Sequence, residues 1–218
     1  MSKLVWDETG KKYYETGVEQ VVLYPQAEGA YPKGVAWNGF TALTLTPSGA
    51  EPTALYANNR KYLTLMSAEE MGGTMEAYTY PDEWAACDGS VAVAEGVFVG
   101  QQARAPFGLC AKTLVGNDTA ANKHGYKLHL IYNALANPSE KPYNTVNESP
   151  EVDPFSWEFS TTPVSVTGHQ PTAYICIDST KVDAAKLKSL EDILYGSESV
   201  EARLPMPDEI VEMFGAAG

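Results

Sequence analysis

Apolar and polar residues alternate along much of this chain, and a period of two indicates β-strands that bury one face. In residues 155–160, three aromatic residues alternate with Ser156, Glu158 and Ser160. The same alternation occurs in several other segments, which are residues 18–24, 41–46, 62–66, 74–80, 126–133 and 173–177. Many strands of this kind joined by long loops predict a mainly β fold, either a β-sandwich or a β-barrel.

Two short sequences contain the residues that tight turns require. Gly72-Gly73 stands between the alternating segments 62–66 and 74–80, and Asn58-Asn59 precedes the first of them. Glycine and asparagine accept the positive φ angles of hairpin turns. We therefore expect a hairpin that joins residues 62–66 to residues 74–80, and a second turn at Asn58-Asn59.

One helix is predicted near the C-terminus. Thr180-Lys181-Val182-Asp183 has the form of a capping box, Gly196 fits a C-terminal cap, and apolar residues keep the helical period between them, at Ala184, Leu187, Leu190, Ile193 and Leu194. A shorter helix is predicted from Pro207 through Ile210 to Phe214. The expected organisation is a single domain (1–218) with an N-terminal arm (1–17), a β core with long loops (18–178), one flanking helix (180–195) and a C-terminal segment (196–218).

Two loops, residues 25–40 and 137–154, are longer than is usual inside a compact domain. Three roles are open for each loop: a binding loop, an arm that becomes ordered on a neighbouring copy, or a plain flexible connector. Tyr31 is expected to be exposed in the first loop, and Trp37 is either a core residue or an anchor for a partner.

The chain is acidic, with 28 acidic and 15 basic residues, and no half of it is basic. A protein that grips nucleic acid is therefore disfavoured. The three cysteines are far apart in sequence, which predicts buried free thiols rather than a disulfide framework. No secretory signal or membrane-spanning apolar run is visible, so we expect the protein to stay in a cytoplasm until it assembles.

No catalytic, cofactor or metal site is predicted. His124 and His129 differ in parity, so on one strand they point to opposite faces. Carboxylate pairs such as Glu148 with Glu151, or Glu158 with a distant aspartate, are expected by chance in so acidic a chain.

Several segments together, and in this order, resemble the major tail proteins (tail tube proteins) of long-tailed, non-contractile phages and prophages. They are residues 31–39 (YPKGVAWNG), 51–57 (EPTALYA), 76–81 (EAYTYP), 100–102 (GQQ), 106–110 (PFGLC), 116–119 (GNDT), 124–127 (HGYK) and 161–164 (TTPV). The resemblance covers nearly the whole chain, from about residue 14 to about residue 214.

This resemblance implies a structural protein without enzymatic activity or cofactor. It implies a β-sandwich or barrel with a flanking helix, six copies of which form a ring around a channel, and rings that stack into the tail tube. The implied partners are other copies of the chain, the tape-measure protein, and the terminator and baseplate proteins. DNA would pass through the lumen without specific binding, and no membrane is involved. The implied location is the virion tail, after synthesis in the bacterial host cytoplasm.

An acidic lumen would repel the phosphates of DNA and let it slide. The predicted hairpin of residues 61–66 and 74–80, with Glu69, Glu70 and Glu76, is the candidate for lining that channel.

Three other functions remain open at this stage. The first is a carbohydrate- or receptor-binding β-sandwich that uses Tyr31, Trp37 and Tyr143. The others are a capsid-decoration or head–tail joining protein, and an enzyme. Self-assembly into rings or tubes distinguishes the tube protein from these alternatives.

Overall fold

The computed structural model describes residues 3–145 and 152–215, and it is mainly β, as the sequence predicts. The strands, all paired antiparallel, and the helices are, in chain order, β1 (Tyr13–Pro25), β2 (Val35–Ala36), β3 (Phe40–Gly49), β4 (Pro52–Ala57), β5 (Arg60–Met66), β6 (Glu69–Ala77), α1 (Trp84–Cys87), β7 (Val91–Ala94), β8 (Val97–Val99), β9 (Phe107–Asn117), β10 (Ala121–Ala136), β11 (Phe155–Thr161), β12 (Tyr174–Asp178), α2 (Ala184–Leu194) and α3 (Pro207–Phe214).

Eight strands form one sheet in the order β2-β1-β9-β10-β11-β6-β3, with β12 also paired to β10. Strand β10 is long enough to pair with β12 through residues 127–131 and with β11 through residues 134–136. The register shifts between these two stretches, where Asn133 has a positive φ of 48°. Such a bulge bends a strand, so the sheet folds over itself and forms a β-sandwich-like structure.

The space between the two halves of the sheet holds an aromatic core. Its centre consists of Trp37, Trp84, Phe107 and Trp157, and Met75 packs beside them; all five are buried. The ring centroids of Trp84 and Trp37 are 4.8 Å apart, and those of Trp84 and Phe107 are 5.0 Å apart. These distances fall in the range that favours aromatic pairs.

A second core lies on the outer face of the half formed by β1, β9, β10 and β12. Leu187, Leu190 and Leu194 of α2 and Ile210 of α3 are buried against this face. The predicted flanking helix and the short helix after Pro207 are therefore confirmed. The molecule has three layers, with the helices on one side and the half-sheet of β3, β6 and β11 on the other.

Helix α2 begins one turn later than the predicted capping box implies. Asp183 is the N-cap, and its Oδ1 accepts hydrogen bonds from the backbone N–H groups of Ala185 (3.0 Å) and Lys186 (2.9 Å). Thr180 instead donates its hydroxyl to Asp178 Oδ1 at 2.6 Å, in the turn before the helix. Aspartate is preferred over threonine as an N-cap residue, and here the aspartate also adjoins the apolar stripe.

The predicted hairpin between residues 62–66 and 74–80 is wrong. Strand β5 pairs with β4, and β6 pairs with β3 and β11. The turn at Asn58-Asn59 is confirmed, since both residues have positive φ and link β4 to β5. Gly72-Gly73 lies inside β6, where a Cβ at Gly73 would stand 2.2 Å from the Thr44 carbonyl oxygen. These glycines allow the neighbouring strands β3 and β11 to approach β6 closely, and they do not form a turn.

Three local predictions are also wrong. Tyr31 is buried in the core between the sheet and the helices, and its hydroxyl accepts a hydrogen bond from the Asn133 backbone N–H (2.8 Å). Cys87 and Cys110 are buried as expected, but Cys176 is exposed. Strand β1 begins at Tyr13, within the expected N-terminal arm of residues 1–17. Of the predicted loop 137–154, residues 146–151, which include Glu148 and Glu151, lie outside the described residues.

A buried histidine makes the stability of this fold depend on pH. The ring nitrogens of His129 each lie 2.7 Å from a hydroxyl, Nε2 from Thr113 and Nδ1 from Tyr174. Burial lowers the pKa of His129, the Glu15 carboxylate raises it, and the Lys127 ammonium lowers it. The imidazole of His129 is therefore protonated at a higher pH in the unfolded chain than in the folded one. The stability that the neutral imidazole contributes is fully present above about pH 6.5 and is lost as the pH falls below that value.

We expect the wild-type protein to lose more stability than His129→Gln between about pH 7 and pH 5. The glutamine amide can still donate and accept a hydrogen bond, but it does not titrate in this range. Urea unfolding at several pH values measures how the free energy of unfolding of each protein changes with pH. The same pH dependence of stability in both proteins would show that His129 is not its source.

Candidate channel-lining surface

The outward face of β3, β6 and β11 is a smooth, acidic surface built from aligned rows of residues. One row crosses the strands as Ala42, Glu76 and Ser156, and the next crosses them as Thr44, Thr74 and Glu158. Two further rows are Thr46, Gly72 and Ser160, then Ser48 with Glu70. We call these residues the acidic face. Apart from its three glutamates, its side chains are short, so the surface has little relief.

The core determines which residues this face presents. Leu43 of β3, Met75 of β6 and Trp157 of β11 all point into the aromatic core. Because successive side chains on a strand point to opposite sides, the residues between them must point outward. Burial of these apolar residues therefore also orients Glu76 and Glu158.

The acidic face has no positive charge of its own. Strands β3, β6 and β11 contain no lysine, arginine or histidine. Within residues 3–145 and 152–215, no ion pair involves Glu70, Glu76 or Glu158. Three carboxylates on an otherwise neutral sheet surface set up a negative potential in front of it. Such a surface repels a polyanion such as DNA.

The structure brings together two of the three glutamates predicted to line a channel. Glu70 and Glu76 share the acidic face, whereas Glu69 pairs with Gly49 and lies on the opposite side of β6. The strand of residues 61–66 is not one of the three strands of this face; it belongs to a separate two-stranded hairpin with β4. Glu158, which the sequence presents only as a chance carboxylate, is the third acid of the face. Its alternation with Trp157 and Phe159 already predicts an outward direction, but its neighbours depend on the pairing of β11 with β6.

Two hairpins project from the sandwich and expose apolar side chains. The first, β4–β5, continues the β3–β6 ribbon beyond Gly49, and every residue of β5 is exposed. Its exposed side chains include Leu55, Tyr56, Tyr62, Leu63, Leu65 and Met66. The second, β7–β8, is exposed throughout and includes Val91, Val93, Val97, Phe98 and Val99. A two-stranded hairpin is marginally stable alone, and exposed apolar patches mark interaction surfaces.

The geometry offers less to the competing functions. Trp37 is buried, and its Nε1–H donates to the Thr79 carbonyl oxygen at 2.8 Å, while Tyr31 is buried as described above. Of the three aromatic residues proposed for sugar binding, only Tyr143 is exposed. Among the described residues, no group of three or more histidine, cysteine or acidic side chains is placed to hold a metal ion.

In the described part of the chain, no helix has the length and apolar character needed to cross a lipid bilayer. Comparison with known protein families and with curated proteins finds no match to this chain.

Proposed function

We propose that the protein is the repeating subunit of a phage tail tube, and that the acidic face lines the channel through which DNA is ejected. The observation that carries this proposal is the acidic face itself, with Glu70, Glu76 and Glu158 on a low-relief surface without basic residues. The order of segments that resembles phage major tail proteins supports it independently. No cofactor or catalytic step is involved.

Assembly requires surfaces that a single copy leaves incomplete. Within the described residues, β12 pairs only with β10 and β3 pairs only with β6, so each has one edge without a partner strand. Such edges promote pairing with other chains, and repetition of one contact around an axis closes a ring. The two apolar hairpins supply further contact area between copies. Hexameric rings stacked into a tube are the arrangement that the resemblance implies.

Concentrating the purified protein and imaging it by negative-stain electron microscopy tests the assembly directly. We expect rings or hollow tubes of uniform diameter, and light scattering on the same sample should rise with concentration. A protein that stays monomeric at every concentration would contradict the proposal.

The position of the acidic face in the tube can be tested by cysteine labelling. Burial raises the pKa of the Cys87 and Cys110 thiols to about 12, so these thiols react little. A Cys176→Ser background then allows Thr44→Cys on the acidic face to be labelled selectively. In tubes, we expect a small maleimide to reach this thiol and a bulky polyethylene-glycol maleimide to be excluded, whereas the monomer should react with both.

Glu198→Cys serves as the matched control, since residue 198 is exposed and follows α2 on the opposite side of the three layers. It should react with both reagents in tubes. Equal labelling of Thr44→Cys by the bulky reagent in tubes and monomer would contradict a channel position. Exclusion of both reagents would show a contact between copies at this face.

A further inference from the structure

The hairpin of β4 and β5, residues Pro52–Met66, which we call the arm, differs in charge from the rest of the chain. The chain has a net charge of −13, yet the arm contains Arg60 and Lys61 and no acidic residue. Both cations stand at the tip, directly after the Asn58-Asn59 turn. Neither takes part in an ion pair within the described residues.

One face of the arm is apolar. The register pairs Leu55 with Leu63 and Thr53 with Leu65, which places three leucines side by side. These side chains remain 38–54% exposed. Within the described chain, the extensive contacts of β4 and β5 are with each other. The arm therefore combines a leucine stripe with a cationic tip, and among the described residues it packs extensively against no other helix or strand of its own subunit.

A cleft of complementary character lies beside the second hairpin. It has a volume of about 590 Å³, and Ala92 and Phe98, which pair across β7–β8 and share one face of the hairpin, form part of its apolar lining. Asp82, Glu83 and Glu95 also border it. Glu83 forms one long ion pair, in which its Oε1 lies 3.9 Å from Lys33 Nζ. Asp82 and Glu95 form no ion pair within the described residues.

We propose that the arm of one copy docks in the Asp82–Glu95 cleft of the next copy, with its leucines on Ala92 and Phe98 and its Arg60 and Lys61 against the carboxylates. This inference rests on the proposed function, because it specifies a contact through which tube subunits join. An apolar centre bordered by opposite charges is typical of specific interfaces. Because the two surfaces differ, the contact is head-to-tail and can repeat from copy to copy.

Charge reversal on each side tests the pairing. Arg60→Glu/Lys61→Glu and Asp82→Lys/Glu95→Lys change exposed residues only, so both variants should fold as the wild type does, as judged by circular dichroism. Each variant alone should lose rings and tubes at concentrations at which the wild type forms them. Mixed in equal amounts, the two variants should assemble, because each arm then meets a cleft of opposite charge.

Lys186→Glu/Lys188→Glu is the matched net-charge control for the arm variant, since it also replaces two positive by two negative residues, here at exposed α2 positions. It should assemble as the wild type does. Assembly of both cleft and arm variants on their own, or loss of assembly in the control to the same extent, would overturn the arm–cleft contact while leaving the tube proposal standing.

A cross-linking experiment separates this inference from the tube proposal. Two Cys176→Ser chains are mixed under oxidising conditions, one with Leu65→Cys on the arm and one with Ala92→Cys in the cleft. We expect a disulfide-linked heterodimer that Arg60→Glu/Lys61→Glu suppresses. Heterodimers without tubes would support the contact and contradict the tube, and tubes without heterodimers would do the reverse.

Discussion

Replacing Gly73 with alanine should lower the free energy of unfolding by about 3 kcal/mol, at the upper end of the usual cost of overpacking. The new Cβ would lie 2.2 Å from the Thr44 carbonyl oxygen and 2.8 Å from the Phe159 ring. The first of these atoms belongs to the backbone of β3, so relief requires a shift of the β3–β6 pair. That pair also carries Glu70 and Glu76, so the acidic face depends on the close approach of strands at Gly73.

Gly72→Ala is the matched control for Gly73→Ala. A Cβ at Gly72 would point to the acidic face and meet its nearest atom, the Phe159 carbonyl oxygen, at 3.1 Å. We expect a loss of about 1 kcal/mol or less, because a shift of a few tenths of an ångström relieves this contact. Urea unfolding followed by circular dichroism measures both variants. Equal losses at the two positions would show that the strands do not approach as closely at Gly73 as described.

Replacing Trp84 with alanine should cost about 4 kcal/mol, since deletion of a fully buried tryptophan removes both its transfer free energy and its packing contacts. Trp84 has no exposed surface, and its ring lies within 5.6 Å, centroid to centroid, of three aromatic neighbours, Trp37, Phe107 and Trp157. Helix α1 has only four residues. The tryptophan therefore holds this segment on the core, and its loss should also loosen the cleft beside it.

Two further variants make the Trp84 prediction specific. The Nε1–H of Trp84 has no hydrogen-bond partner among the described residues, so Trp84→Phe removes an unsatisfied donor and should cost much less than alanine. Trp6→Ala should change stability by about 0.5 kcal/mol or less, because Trp6 is 75% exposed. Calorimetry gives the three midpoints under one set of conditions. Similar losses for Trp84→Ala and Trp6→Ala would contradict the central position of Trp84.

The tube proposal and the arm–cleft contact use different parts of the molecule. The acidic face lies on the half-sheet of β3, β6 and β11, whereas the arm and the β7–β8 hairpin project from the sandwich. Under these two proposals, the channel surface can stay constant while the hairpins determine how a subunit joins its neighbours. Variants at Glu70, Glu76 and Glu158 should therefore affect DNA passage, and variants at Arg60 and Lys61 should affect assembly.

The sequence alone determined the elements whose signals are local. Alternation around Trp157 predicts β11, the repeat of leucines predicts α2, and Asn58-Asn59 predicts its turn. Each signal arises within a few residues, because side-chain direction repeats every two residues in a strand and every 3.6 in a helix. The structure contains all three elements.

Which strands are neighbours depends on contacts between distant parts of the chain. Gly72-Gly73 has the composition of a turn, yet it lies inside β6, where the Thr44 carbonyl and the Phe159 ring leave no room for a side chain at Gly73. The same long-range pairing brings Glu158 beside Glu70 and Glu76 and places Glu69 on the other side of the strand. Local sequence specifies which way a side chain points. Its neighbours depend on which apolar faces are buried together, and that is a property of the whole fold.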